Sequence, residues 1–95
     1  MKTTHIILKF PSQFSKYINN AETIEFKGKT VIDFIDYLDS TYGDVKERLL
    51  QEDNGQLRPY INLFIGSKNI KSLNNLESVI ESGEKVSLLL SRAGG

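Results

Sequence analysis

His5-Ile6-Ile7-Leu8-Lys9-Phe10 is rich in strand formers, and strand alternation puts Ile6, Leu8 and Phe10 on one face. Pro11 ends that strand or marks a sheet edge. Ser12 to Ala21 is mostly polar, with Phe14, Tyr17 and Ile18 interspersed, and reads as a loop with a short helical turn that packs a few side chains back. Alternation resumes at Glu22-Thr23-Ile24-Glu25-Phe26, predicting a second strand with Ile24 and Phe26 inward and a long hairpin with the first. The period then changes. Val31, Phe34, Ile35 and Leu38 follow the i, i+3, i+4, i+7 spacing of a buried helical stripe. Thr30 is placed to cap that helix, Asp33 suits its first turn, and Gly43 offers a left-handed stop. Asp44 is placed to cap a short second helix, Val45 to Gln51, with Val45 and Leu49 on one side.

After a turn at Glu52-Asp53-Asn54-Gly55-Gln56, Arg58 to Ile65 is the strongest strand. Ile61, Leu63 and Ile65 face one way, and Tyr60, Asn62 and Phe64 the other. Gly66 to Asn69 reverses the chain, and Ile70 begins a short return strand. Leu73, Leu76, Val79 and Ile80 supply apolar contacts in a compact connection. A final strand carries Val86, Leu88 and Leu90 on one face.

Two strands, a helix and three more strands predict an α+β fold: a mixed sheet of about five strands packed on one main helix. That order matches the β-grasp, or ubiquitin, fold, in which the first and last strands lie side by side in mid-sheet. The expected core is Ile6, Leu8, Ile24, Phe26, Val31, Phe34, Ile35, Leu38, Ile61, Leu63, Val86 and Leu88. One helix covers one side of a sheet. Ile7, Tyr60, Phe64 and Leu89 therefore form an expected apolar patch on the other side, a candidate partner surface unless Ser12–Ala21 folds over it.

Composition removes function classes. Ninety-five residues make one domain, with residues 1–90 as the folded part and 91–95 as a flexible tail. Twelve basic residues balance twelve acidic ones, so nothing draws the whole chain to a nucleic-acid backbone. No apolar stretch reaches membrane-spanning length and the first residues lack a signal-peptide layout, so a cytoplasmic protein is expected. Without cysteine there is no thiolate nucleophile or thiolate metal site. His5 is the sole histidine and reads as a surface residue, leaving no nucleophile–base constellation and no metal site. Gly28-Lys29-Thr30 lacks the upstream glycine of a phosphate-binding loop, so it reads as a helix cap. Asp33, Asp36 and Asp39 read as a solvated helix face.

The last strand runs directly into Ser91-Arg92-Ala93-Gly94-Gly95. Taken alone, these residues fit a frayed end. The ordered series Arg58-Pro59-Tyr60-Ile61-Asn62-Leu63-Phe64-Ile65, Lys68-Asn69-Ile70, Ser82-Gly83-Glu84-Lys85-Val86 and Ala93-Gly94-Gly95 resembles the MoaD/ThiS family of ubiquitin-like sulfur carriers. The look is closest to its longer, CysO-like members. The resemblance implies that Gly95 is adenylated by an activating enzyme using ATP. A sulfur donor then displaces AMP and leaves a terminal thiocarboxylate that donates sulfur in a biosynthetic pathway. The implied partners are the adenylating enzyme, a sulfurtransferase and a downstream sulfur-accepting enzyme. The carrier itself binds no cofactor and has no catalytic residue. Arg92, Ala93 and Gly94 form the implied threading tail, in which glycine takes backbone angles closed to other residues. Ser91-Arg92 departs from the family's proline and small apolar residue, which leaves the activating partner open. A molybdopterin synthase small subunit, a ubiquitin-like modifier forming isopeptide bonds and a plain interaction module remain alternatives. Cysteine, thiamin, molybdopterin and other sulfur-containing metabolites all remain possible destinations.

Overall fold

The computed structural model describes residues 3–91. Strands β1 (Thr3–Lys9) and β2 (Thr23–Lys27) form the expected antiparallel hairpin, with Ile6 opposite Ile24 and Thr4 opposite Phe26. The polar segment between them holds a short helix, α1 (Ser12–Ser15), and a 3-10 turn over Lys16–Ile18. The main helix α2 (Val31–Tyr42) and the short α3 (Val45–Leu49) come next. Strands β3 (Ile61–Ile65), β4 (Lys68–Asn69) and β5 (Lys85–Leu90) complete a five-stranded sheet of order β2-β1-β5-β3-β4. β1 and β5 run parallel in the middle, Leu8 beside Val86, and every other pairing is antiparallel. This is the mixed α+β sheet expected, with the first and last strands central.

Strand alternation supplies one apolar face and the α2 stripe covers it. All the expected core residues are buried, Val31, Phe34, Ile35 and Leu38 completely. Phe34 meets Phe10 edge-on at 6.4 Å, a geometry that aromatic pairs favour, and packs at a tilt against Phe26 at 5.9 Å. The core is larger than the strand and helix patterns predict. Phe14, Ile18, Val45, Leu49, Leu50, Ile65, Ile70, Leu76 and Ile80 join it from turns, short helices and strand ends.

Several boundaries differ from expectation for identifiable reasons. β3 starts at Ile61 because Pro59 has no N–H to pair, and the Ile61 N–H instead closes a turn onto the Arg58 carbonyl (2.9 Å). The return strand is Lys68–Asn69 rather than one starting at Ile70. Asn69 Oδ1 accepts from the Lys71 N–H at 2.9 Å and starts a 3-10 turn at Ile70. Leu73 and Val79 are exposed, while Leu76 and Ile80 carry that connection's packing. α3 stops at Leu49 because Leu50 is extended and bridges to Leu57. Gly43 has positive φ (83°) but extended ψ (143°), and the left-handed residue is Asp44 (φ 58°, ψ 15°). The Asp44 side chain caps nothing. Asp39 Oδ1, from the preceding helix, accepts from the Lys46 N–H at 3.0 Å instead.

The start of α2 is a reciprocal cap. Thr30 Oγ1 accepts from the Asp33 N–H (3.2 Å), and Asp33 Oδ2 accepts from the N–H groups of Lys29 (3.0 Å) and Thr30 (3.2 Å). Gly28-Lys29-Thr30 is thus the helix cap that its composition suggests. Gly28 belongs to it sterically: its φ is 143°, and a Cβ there would lie 2.6 Å from the Asp33 Cβ. The backbone bond from Lys29, with those from Thr30, holds the Asp33 carboxyl below its ordinary 3.8, although partial burial opposes the shift.

Thr30→Ala should cost about 1 kcal/mol in urea unfolding. Gly28→Ala should cost more than about 1 kcal/mol, since it combines strain with a clash. Asp33→Asn should destabilise the protein at neutral pH. A folded-state value below the unfolded one stabilises above the ordinary 3.8 and is lost as pH falls through the folded value. The wild-type and Asp33→Asn stabilities should therefore converge in acid. A constant gap across that range would show that Asp33 acts without its charge.

Candidate functional site

β5 directs Val86 and Leu88 into the core and Lys85, Ser87 and Leu89 to the opposite face. Because β1 and β3 pair with it on either side, the strand is fixed along both edges. Pairing continues one residue further. The Ser91 N–H donates to the Tyr60 carbonyl at 2.7 Å, and Ser91 Oγ accepts from Asn62 Nδ2 at 2.7 Å. Asn62 Oδ1 in turn accepts longer bonds from Asn69 Nδ2 and Lys71 Nζ, both 3.4 Å. Residues of β3, β4 and the turn after it thus converge on Ser91, directly or through Asn62. Arg92, Ala93, Gly94 and Gly95 lie outside the described residues.

The four outward apolar residues fall into two places. Leu89 pairs with Asn62, so Phe64 is its diagonal neighbour, as Tyr60 is where the pairing continues to Ser91. Leu89 is 55% exposed and Tyr60 44%, whereas Phe64 is half-buried. Ile7 is also exposed, but it lies on β1 with Lys85 as its strand partner, displaced along β5 from Leu89. Lys9, Lys71 and Lys85 are exposed. Ser12–Ala21 does not cover it. Phe14 and Ile18 are buried in the helix-side core, and Tyr17 packs edge-on to Phe14 (5.9 Å) beneath the Arg48 guanidinium (3.9 Å).

The remaining candidate groups have structural partners. His5 Nε2 lies 2.9 Å from Glu25 on the exposed face. Asp36 pairs with Lys46 at 2.7 Å, an interaction that raises the Lys46 ammonium above its ordinary value. Asp33, Asp36 and Asp39 are therefore not merely a solvated face, since each fixes a backbone or side-chain donor at one end of α2. Among the described residues no group of three or more His, Cys, Asp or Glu side chains could hold a metal ion. No helix among them is long and apolar enough to cross a membrane. At the chain exit the side chains are amide, hydroxyl and ammonium groups, which position backbone. Asn62 is the feature that pattern reading passes over. Its signal is an asparagine, a residue depleted in strands, at an outward position of the most apolar strand.

No family profile matches the sequence. An Archaeoglobus fulgidus protein described as a sulfur carrier is 33% identical over 72 residues, covering 76% of this chain and 81% of that protein. The sulfur carrier protein CysO of Mycobacterium tuberculosis is 22% identical over 92 residues, covering 96% of this chain and 99% of that protein. A chain in the crystal structure of the Amycolatopsis orientalis BexX/CysO complex superposes with a TM-score of 0.80 at 26% identity, covering 95% of this chain and 99% of that one.

Neighbouring positions on β5 should separate surface from core. Leu89→Ser should change unfolding stability by no more than about 0.5 kcal/mol. Leu88→Ala should cost about 2–5 kcal/mol. Equal losses in urea titrations would mean that Leu89 is buried in solution.

Proposed function

The chain belongs to the MoaD/ThiS-like family of ubiquitin-like sulfur carriers, and on that premise we propose that Gly95 is the residue that carries the sulfur. Its carboxylate attacks the α-phosphorus of ATP in an activating enzyme, releasing pyrophosphate and forming an acyl-adenylate. A sulfide equivalent from a sulfurtransferase attacks the carbonyl carbon, AMP departs, and a thiocarboxylate remains. That group delivers sulfur to an accepting enzyme of a biosynthetic pathway in the cytoplasm. The carrier is a substrate in these steps and contributes no catalytic side chain, and ATP is bound by the activating partner.

The observation that carries this reading is the placement of β5. The central strand of the sheet ends at an exposed exit beside the Tyr60, Phe64 and Leu89 cluster. A partner docked on that face has the chain end within reach. In this reading Tyr60, Phe64 and Leu89 form the docking surface, Ile7 contributes at its margin, and Arg92, Ala93 and Gly94 thread the partner's cleft. An apolar cluster that folding leaves open is a usual mark of a partner surface.

The test is intact-mass measurement after incubation with the activating enzyme of the same source, ATP and a sulfur source. One oxygen should be replaced by one sulfur, located to the C-terminal peptide, and deleting Gly95 should abolish the change. Leu89→Lys should lower activation about tenfold while the fold is kept. A mass that stays unchanged under all these conditions would count against the carrier chemistry.

A further inference from the structure

We propose that Asn62 is a positioning residue: acting through Ser91, it fixes the point at which the chain leaves the sheet and so sets the length of tail available to the activating partner. This inference rests on the reading of Gly95 as the attachment point.

Strand ends fray unless something ties them down. Beyond β5 the ladder could end at Leu90, which is half-buried. It continues to Ser91, which is exposed and held from two directions: its N–H donates to the Tyr60 carbonyl and its Oγ accepts from Asn62 Nδ2, each at 2.7 Å. The backbone bond alone would be a solvent-exposed final rung. The side-chain bond adds an anchor on the neighbouring strand. Asn62 is suited to this because its backbone lies between β4 and β5 in the sheet order. Its amide is also oriented from both ends. Nδ2 donates to Ser91, and Oδ1 faces the donors of Asn69 and Lys71 at 3.4 Å.

The consequence is a length. With Ser91 fixed, Arg92 to Gly95 remain, and four residues reach at most about 14 Å. Each further residue released from the sheet would add about 3.5 Å of slack and more conformations to lose on binding. The clamp meets that ordering cost during folding rather than in the partner's cleft. Because the tail is threaded both before and during adenylation, loosening it weakens ground state and transition state alike. That signature is a raised KM with an unchanged kcat.

The experiment uses the full chain with its activating enzyme and follows ATP–pyrophosphate exchange. For Ser91→Ala and Asn62→Ala the apparent KM for the carrier should rise about two- to tenfold with kcat held. Ser91→Thr, which keeps the Oγ, should restore the wild-type KM. In Asn62→Ala the Ser91 amide proton should exchange faster with solvent, while that of Leu88 should not change. A merely structural role would lower stability without this split between KM and kcat. Wild-type KM in both alanine variants, with the wild-type chain itself activated, overturns the clamp, as does a fall in kcat alone. If the wild-type chain is not activated, the reading of Gly95 fails, and Ser91 amide exchange in Asn62→Ala then decides the clamp by itself: faster exchange upholds it and unchanged exchange overturns it.

Discussion

The parallel pairing of β1 with β5 is the interaction on which the rest of the structure depends. It joins Ile7, Leu8 and Lys9 to Lys85, Val86 and Ser87, residues from opposite ends of the chain. Each of the two hairpin-like pairings then attaches to one side of this seam, β2 through β1 and β3 with β4 through β5. The side chains that alternate inward from the seam, Ile6, Leu8, Val86 and Leu88, are the floor on which α2 lies. Without the seam the sheet would split into the β1–β2 hairpin and the three-stranded unit β5-β3-β4, and a two-stranded hairpin is marginal alone. The seam also accounts for the site. A strand held on both edges delivers Ser91 at a defined place, which an edge strand would do less well.

Around that seam, polar groups serve direction rather than reaction. Asp33 closes the start of α2, Asp39 serves the start of α3, and Asn62 holds Ser91. Exposed ion pairs such as Asp36 with Lys46 contribute little to stability, because water competes for both charges. Asp36 and Asp39 join α2 to α3 through Lys46, and Val45 and Leu49 of α3, with Leu50 just after it, extend the core beyond the main helix. The segment between β1 and β2 does the same at the sheet's end with Phe14 and Ile18. The helix side is thus fully clothed, while the other side of the sheet keeps Tyr60 and Leu89 in water.

The sheet, the main helix and its cap are legible in the sequence because each rests on local chemistry with a strong period. Ile6 and Leu8, Ile24 and Phe26, and the Val31-to-Leu38 stripe declare their faces independently of anything distant. Non-local partners are not legible. Asp44 looks like a helix cap until Asp39, from the helix before it, is seen to accept the Lys46 N–H. Ile70 looks like a strand residue until Asn69 turns the chain with its own side chain. Alternation places Ile7, Tyr60 and Leu89 in water, as the structure does, but it cannot give the register of neighbouring strands, and it is the pairing of Ile7 with Lys85 that separates Ile7 from Leu89. Asn62 is hidden for a similar reason. Its partner, Ser91, is adjacent only through the register of β3 with β5.

The seam has a further consequence for how the molecule comes to be folded. Its two strands are separated by nearly the whole chain, so the entropy of closing a long loop must be met before the central pairing returns any energy. Folding of such a topology is slow relative to helical proteins and strongly cooperative. An intermediate containing only the β1–β2 hairpin and α2 has no middle strand and hence no ordered exit at Ser91. The tied position of Ser91 is therefore a report that assembly has finished. A partner that contacts both the Leu89 face and Ser91 would distinguish completed molecules from partly folded ones without any separate means of inspection.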